Sequence, residues 1–270
     1  MPDGMSQSLK NATRFTLSPS DSKFNGPRSV RQDIAVQPVL PTNGSLYGYL
    51  YFSNSDNDPG IYRITTEKIQ MLYVDGLYKY GWITPVNGWY SDGKVCGLTM
   101  VIDQSDDNIY ENIYYELDFE SGEMLTFREF GISYTNMFYK CALNPENNRI
   151  YGYNLDFNTG TFYWASAPVS NPTDVTRYAE STSNYCYALC YNPEDGYMYG
   201  INVKQQFVRV AADGTQTVIS NSLPDSENYY VNPSGITWDQ ESECFYVSVN
   251  LNSGGRIISR IYSITMSGDI

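Results

Sequence analysis

Residues 144–153 read NPENNRIYGY: a polar turn, an apolar residue, a tyrosine and then a glycine, Gly152. The same phrase stands at NGSLYGYLYF around Gly48, DGKVCGLTMV around Gly97 and EDGYMYGINV around Gly200. A last copy, ESECFYVSVN, has Val247 in place of the glycine. The intervals are 49, 55, 48 and 47 residues. Five copies at near-constant spacing mark a chain built from repeats, and the period decides the fold before any local element does.

The flanks repeat too. A short apolar segment precedes the turn, as in CALNPE from Cys141, YALCYNPE from Tyr187 and GITWDQE from Gly235. A second alternating segment follows it: GIYRIT from Gly60, IYYELD from Ile113, FYWASA from Phe162, QFVRVA from Gln206 and RIYSIT from Arg260. Polar turns containing glycine (ESGEM, AADGTQ, MSGDI) then lead to a further strand-like segment in KIQMLYVD, EMLTFREF, DVTRYAE and TQTVIS. Each unit therefore holds four short segments of period-2 alternation joined by turn residues, with almost no helical periodicity. Four antiparallel strands per unit of this length is the pattern of a propeller blade. The expected fold is all-β, a β-propeller of about five four-stranded blades. A β-sandwich or solenoid is the rival, but sandwich strands do not repeat in fours and solenoid units are shorter.

The phrase NPE followed by Ile/Met-Tyr-Gly and a tyrosine-containing strand resembles bacterial secreted or cell-surface propellers. LYGYLYFSN around Gly48 distantly resembles the YWTD type of repeat. The resemblance spans Asp33 to the C-terminus and implies a fold and an extracytoplasmic setting, not an activity. Residues 1–32 are read as an N-terminal segment, and residues 33–270 as the propeller repeats. The fifth unit stops at Ile270 without an outer strand, whereas NATRFTL, residues 11–17, alternates like one. The preferred reading is closure of the ring by this segment, because closure removes an exposed sheet edge. Further blades after Ile270 in a longer parent are the alternative.

Composition narrows the function. The net charge is −13 with only 17 Lys and Arg, which repels a phosphate backbone and argues against nucleic acid and anionic membranes as partners. No apolar run reaches membrane-spanning length. The 26 tyrosines suit strands and half-buried strand ends. This Tyr-, Asn- and Ser-rich texture leads us to expect a secreted, periplasmic or cell-surface protein, its leader absent from this chain. The five cysteines show no zinc spacing and read mostly as buried thiols, with one disulfide between neighbouring strands as the alternative.

The chain contains no histidine. Ser-His-Asp and Cys-His catalysis, imidazole general bases and histidine-bearing metal sites are thereby excluded. No phosphate loop or dinucleotide fingerprint is present, so no cofactor is expected. Two chemistries survive. A carboxylate pair as in glycoside hydrolysis would draw on Asp33 and Asp239, but the inner segments CALN, YALCYN and GITW carry no acid before Asp239. Asn54, Asp56 and Asp58 in NSDNDPG resemble the start of a calcium loop, yet the glycine falls one residue late and Thr65 stands where a glutamate is needed. Asp103, Asp106 and Asp107 lack the spacing altogether. Both clusters read as solvated turns, so no metal site is expected.

The links between units are unusually aromatic for loops. They carry Tyr78, Tyr80 and Trp82, then Tyr134, Phe138 and Tyr139, then Tyr185 and Tyr187, then Tyr229 and Tyr230. One alternative has these rings folding inward to fill the funnel between blades. The other has some of them exposed on one rim, stacking on a sugar or a partner's side chains. Tyr80, Trp82, Tyr134, Tyr185 and Tyr230 are the candidate ligand-binding residues. The expected function is non-catalytic recognition of a glycan or a protein. A carboxylate-dependent glycoside hydrolase and a purely structural propeller of a larger surface protein are the alternatives.

Overall fold

The computed structural model describes residues 46–50, 60–64, 69–74, 83–91, 93–102, 110–119, 121, 123–132, 137–181, 184–224, 230–253 and 256–270. Strands and turns account for all regular structure there. They are β1 (Leu46–Leu50), β2 (Gly60–Ile64), β3 (Ile69–Val74), β4 (Ile83–Ser91), β5 (Lys94–Ile102), β6 (Tyr110–Asp118), β7 (Met124–Ile132), β8 (Met137–Asn144) and β9 (Arg149–Asp156). The second half holds β10 (Thr161–Pro168), β11 (Thr176–Glu180), β12 (Cys186–Tyr191), β13 (Met198–Asn202), β14 (Phe207–Val210), β15 (Gln216–Ser220), β16 (Tyr230–Asp239), β17 (Cys244–Ser253) and β18 (Arg256–Thr265). Among the described residues no helix is long and apolar enough to cross a membrane.

Each sheet is an antiparallel meander in chain order: β1–β3, β4–β7, β8–β11, β12–β15 and β16–β18. The repeat phrase falls at one register throughout. Gly48, Gly97, Gly152, Gly200 and Val247 lie on β1, β5, β9, β13 and β17, opposite Tyr62, Tyr115, Ala165, Val208 and Tyr262 of the next strand.

The inner strands β4, β8, β12 and β16 pack one against the next, which is the propeller arrangement. Each junction buries an apolar cluster. Trp89 and Tyr114 meet Phe138 and Ile150 at the first. Tyr153 and Trp164 meet Leu189, Tyr191 and Val208 at the second. Tyr199 and Phe207 meet Trp238 and Phe245 at the third, with Phe245 centred 4.5 Å from Tyr199 and 4.6 Å from Trp238. Among the described residues, blades joined in this way number four, against the expected count of about five. The first repeat supplies β1–β3, but its expected inner strand, from Asp33, lies outside the described residues. That sheet consequently has no described axial strand through which to join the others. The closing strand expected at residues 11–17 also lies outside the described residues, and β16–β18 is three-stranded among them.

The turn phrase has a local cause. Asn144 Oδ1 accepts the Glu146 amide at 2.9 Å, and Asn192 Oδ1 accepts the Glu194 amide at 3.0 Å. These side-chain turns fold the chain back after the inner strand. The tyrosine of the phrase then bonds the residue four before it. Asn147 donates to Tyr151 at 3.1 Å, Tyr199 donates to Asp195 at 2.6 Å and Tyr246 donates to Ser242 at 3.3 Å. The glycine answers to a close backbone approach. A Cβ on Gly152 would stand 2.1 Å from the Lys140 carbonyl oxygen, and one on Gly200 would stand 2.5 Å from that of Ala188.

An aromatic shelf as the candidate functional site

The inner strand slips by one residue at the same register in β4, β8, β12 and β16. Pairing passes from Pro85 to Asn87, from Phe138 to Lys140, from Cys186 to Ala188 and from Pro233 to Gly235. Val86, Tyr139, Tyr187 and Ser234 are thus the extra residues of four equivalent β-bulges. A bulge leaves its extra residue out of the ladder and re-aims the side chain, which is why bulges recur beside functional sites. In two successive blades the re-aimed residue is a tyrosine.

Those two tyrosines meet at Tyr185, the residue before β12. The Tyr185 ring stacks on Phe162 from β10, with centroids 4.4 Å apart and planes 26° apart. Tyr139 meets it edge-on at 6.0 Å, and Tyr187 does so at 5.6 Å. Tyr139, Phe162, Tyr185 and Tyr187 are all half-buried. The Lys140 ammonium stands 5.4 Å from the centre of the Tyr139 ring, within cation–π range. Four rings from two adjoining blades therefore form one partly exposed shelf.

The backbone under the shelf is pinned. The Tyr185 carbonyl accepts the Val203 amide at 2.9 Å, and the Phe162 carbonyl accepts the Ser181 amide at 2.7 Å. Gln216 donates from Nε2 to the Asn184 carbonyl and, at 2.8 Å, to the Tyr153 hydroxyl. The fully buried Asn202 donates to the Asn184 side chain at 3.2 Å and to Gln206 at 3.0 Å. Rings held by ordered backbone lose little freedom on binding, so the shelf is preorganised.

Of the five rim aromatics singled out from sequence, Tyr185 forms the centre of this cluster, and Tyr230 opens β16 opposite Asn252. Tyr80, Trp82 and Tyr134 lie outside the described residues. So do Asp33 and both acidic clusters, Asn54, Asp56 and Asp58 and then Asp103, Asp106 and Asp107. Asp239 is wholly buried at the end of β16, where its Oδ2 accepts a 2.7 Å bond from Ser242. A carboxyl sealed in a turn does not reach a sugar bond. Sequence reasoning missed Phe162 as a member of the cluster, and it did not single out Tyr139 and Tyr187. The signal that finds the last two is the repeat glycine, since each stands two residues before the partner facing it.

None of the five cysteines forms a disulfide, and all are buried. Burial pushes the Cys186 thiol up to about 12, against a partly opposing bond from Tyr153, and raises Cys141 and Cys190 as well. Thiols held protonated this firmly are poor nucleophiles. Among the described residues no three Cys, Asp or Glu side chains cluster as a metal site would require.

Residues 156–266, less than half of the chain, match the family model of a repeat of unknown function, DUF6923. No curated protein matches the chain. Among solved structures, the chain is similar to a "putative 6-phosphogluconolactonase" from Bacteroides uniformis at 12% identity. That match covers 83% of this chain and 70% of the other, with a TM-score of 0.36.

Proposed function

We propose that the protein is a non-catalytic recognition module, acting outside the cytoplasm, that binds a glycan on the shelf formed by Tyr139, Phe162, Tyr185 and Tyr187. The observation carrying this reading is the half-exposed cluster centred on Tyr185, with two of its rings aimed by bulges. Sugar rings present apolar C–H faces beside hydroxyls. A tyrosine shelf matches both, through its flat faces and its phenol groups. The lack of histidine and the sealed position of Asp239 favour binding over hydrolysis. The test is a glycan array probed with the intact chain and with Tyr185→Ala and Tyr187→Ala variants of unchanged melting temperature. Each variant is expected to bind the retained glycan at least about tenfold more weakly, a loss of about 1.4 kcal/mol. Undiminished binding by both variants, or no glycan retained by the intact chain, would remove the glycan from this shelf.

A further inference from the structure

A second site lies at a different blade junction, where β4–β7 meets β8–β11. A cleft of about 300 Å³ opens there, with Trp89, Cys96, Tyr114 and Leu143 as its buried floor. Its charged lining is Lys94, Glu116 and Arg128, and the exposed Asn148 and Ser170 stand at its margin. Glu116 is held by three bonds. It accepts from Lys94 at 3.1 Å, from Tyr114 at 2.8 Å and from Thr126 at 2.7 Å. Arg128 lies over the Tyr114 ring at 4.8 Å, and no carboxylate among the described residues pairs with it. Among the described lining residues two cations thus face one anion, a surplus of one positive charge in a chain whose net charge is −13.

We propose that this cleft binds a compact hydroxylated monoanion, a sugar acid, whose carboxylate pairs with the Arg128 guanidinium. The fork of a guanidinium matches a carboxylate with two parallel bonds, and its contact with the Tyr114 ring holds it at the cleft. A dianion such as a phosphate monoester is disfavoured, because Glu116 stands beside the same cations. The hydroxyls of the ligand meet the remaining lone pairs of Glu116, the Asn148 amide and the Ser170 hydroxyl. The volume is at the lower end for small-molecule sites and suits one sugar unit. This inference does not rest on the aromatic shelf, which lies at the next junction.

The same carboxylate occurs in a free sugar acid and in a uronate unit of a polysaccharide. NMR titration of the intact chain with glucuronate, an oligogalacturonate and glucose separates these sources. Saturable shifts at the Arg128 side chain with one or both acids, and none with glucose, are expected. Binding of glucuronate assigns the site to the free acid, and binding of the oligomer alone assigns it to the polymer. Arg128→Gln is expected to weaken the interaction at least tenfold, whereas Lys204→Gln, which removes an exposed cation elsewhere, leaves it unchanged. No binding of either acid, or equal binding by Arg128→Gln, would overturn the proposal.

Discussion

Tyr151 and Tyr199 each do two things at once: the ring packs into a blade junction and the hydroxyl bonds the turn that precedes it. At Tyr199 the clasp is a short bond to a carboxylate, and charge-assisted bonds of this kind are the stronger ones. Tyr199→Phe is expected to cost about 1 kcal/mol in denaturant unfolding, more than Tyr246→Phe, whose partner is a serine hydroxyl at 3.3 Å. Equal costs would deny the carboxylate its part. The tyrosine was legible as a repeat, but the clasp was not, because its partner changes from Asn147 to Asp195 to Ser242. Glu116 offers a second residue-scale test. Burial works to raise its carboxyl, but the bonds from Thr126, Tyr114 and Lys94 prevail and hold it below its ordinary value of 4.5. A depressed folded-state value means that the stabilisation is complete above the unfolded value and is lost as pH falls through the folded one. Between pH 6 and pH 3 the native chain should therefore lose more stability than Glu116→Gln. Parallel losses in pH-dependent denaturation would contradict this.

At the scale of the strand, what was legible depended on how many faces are buried. β8, β9 and β10 mix buried and half-exposed positions, so parts of their alternation survive in the sequence. β13 (MYGIN) is buried at every position, because both faces are covered by neighbouring sheets, and its period-2 signal disappears. Gly200 was the better marker. Its Cβ would meet the Ala188 carbonyl at 2.5 Å and Leu189 Cδ2 at 2.9 Å, so Gly200→Ala must push the inner strand away. We expect a loss of about 3 kcal/mol, the upper part of the range for overpacked sites. Gly88→Ala, whose nearest contact is the Tyr115 hydroxyl at 3.3 Å, should cost clearly less. Similar melting temperatures for the two variants would disprove the close approach. The outer strand β11 (TRYAE) is exposed throughout and has no buried face to impose a pattern, yet it falls within the strand-like segment DVTRYAE. The turn after β14 shows the reverse case. Gly214 has a φ of 90° and sits on the Trp164 ring of the preceding blade, and the Trp164 indole donates to the Ala212 carbonyl at 2.9 Å. The glycine was visible in AADGTQ, but its contact across the junction was not.

At the scale of the whole molecule, the five phrases fall on five sheets, of which four are joined as blades among the described residues. A blade joins its neighbours through its inner strand, and the phrase marks only the second strand. The shelf was half legible for a related reason. Tyr185 stood out as an aromatic in a link, whereas Phe162 reaches it from a different strand of the preceding blade, a relation that no sequence period records. Blade-on-blade burial also governs four of the thiols, Cys96, Cys141, Cys186 and Cys190, whereas Cys244 lies against Tyr246 and Ile261 of its own sheet. All five cysteines are enclosed, so the native chain should react with a thiol-specific aromatic disulfide only on the timescale of unfolding, and five thiols should titrate in denaturant. A rapidly titrating thiol in the native state would contradict this burial. The central claim is that successive repeats stack as blades and thereby bring rings from different repeats together. A nuclear Overhauser spectrum with ring-labelled tyrosine and phenylalanine tests it most directly. The account predicts cross-blade contacts between Phe162 and Tyr185, whose ring centres lie 4.4 Å apart, and between Tyr199 and Phe245, at 4.5 Å. Contacts of these rings only with others of their own repeat would contradict it.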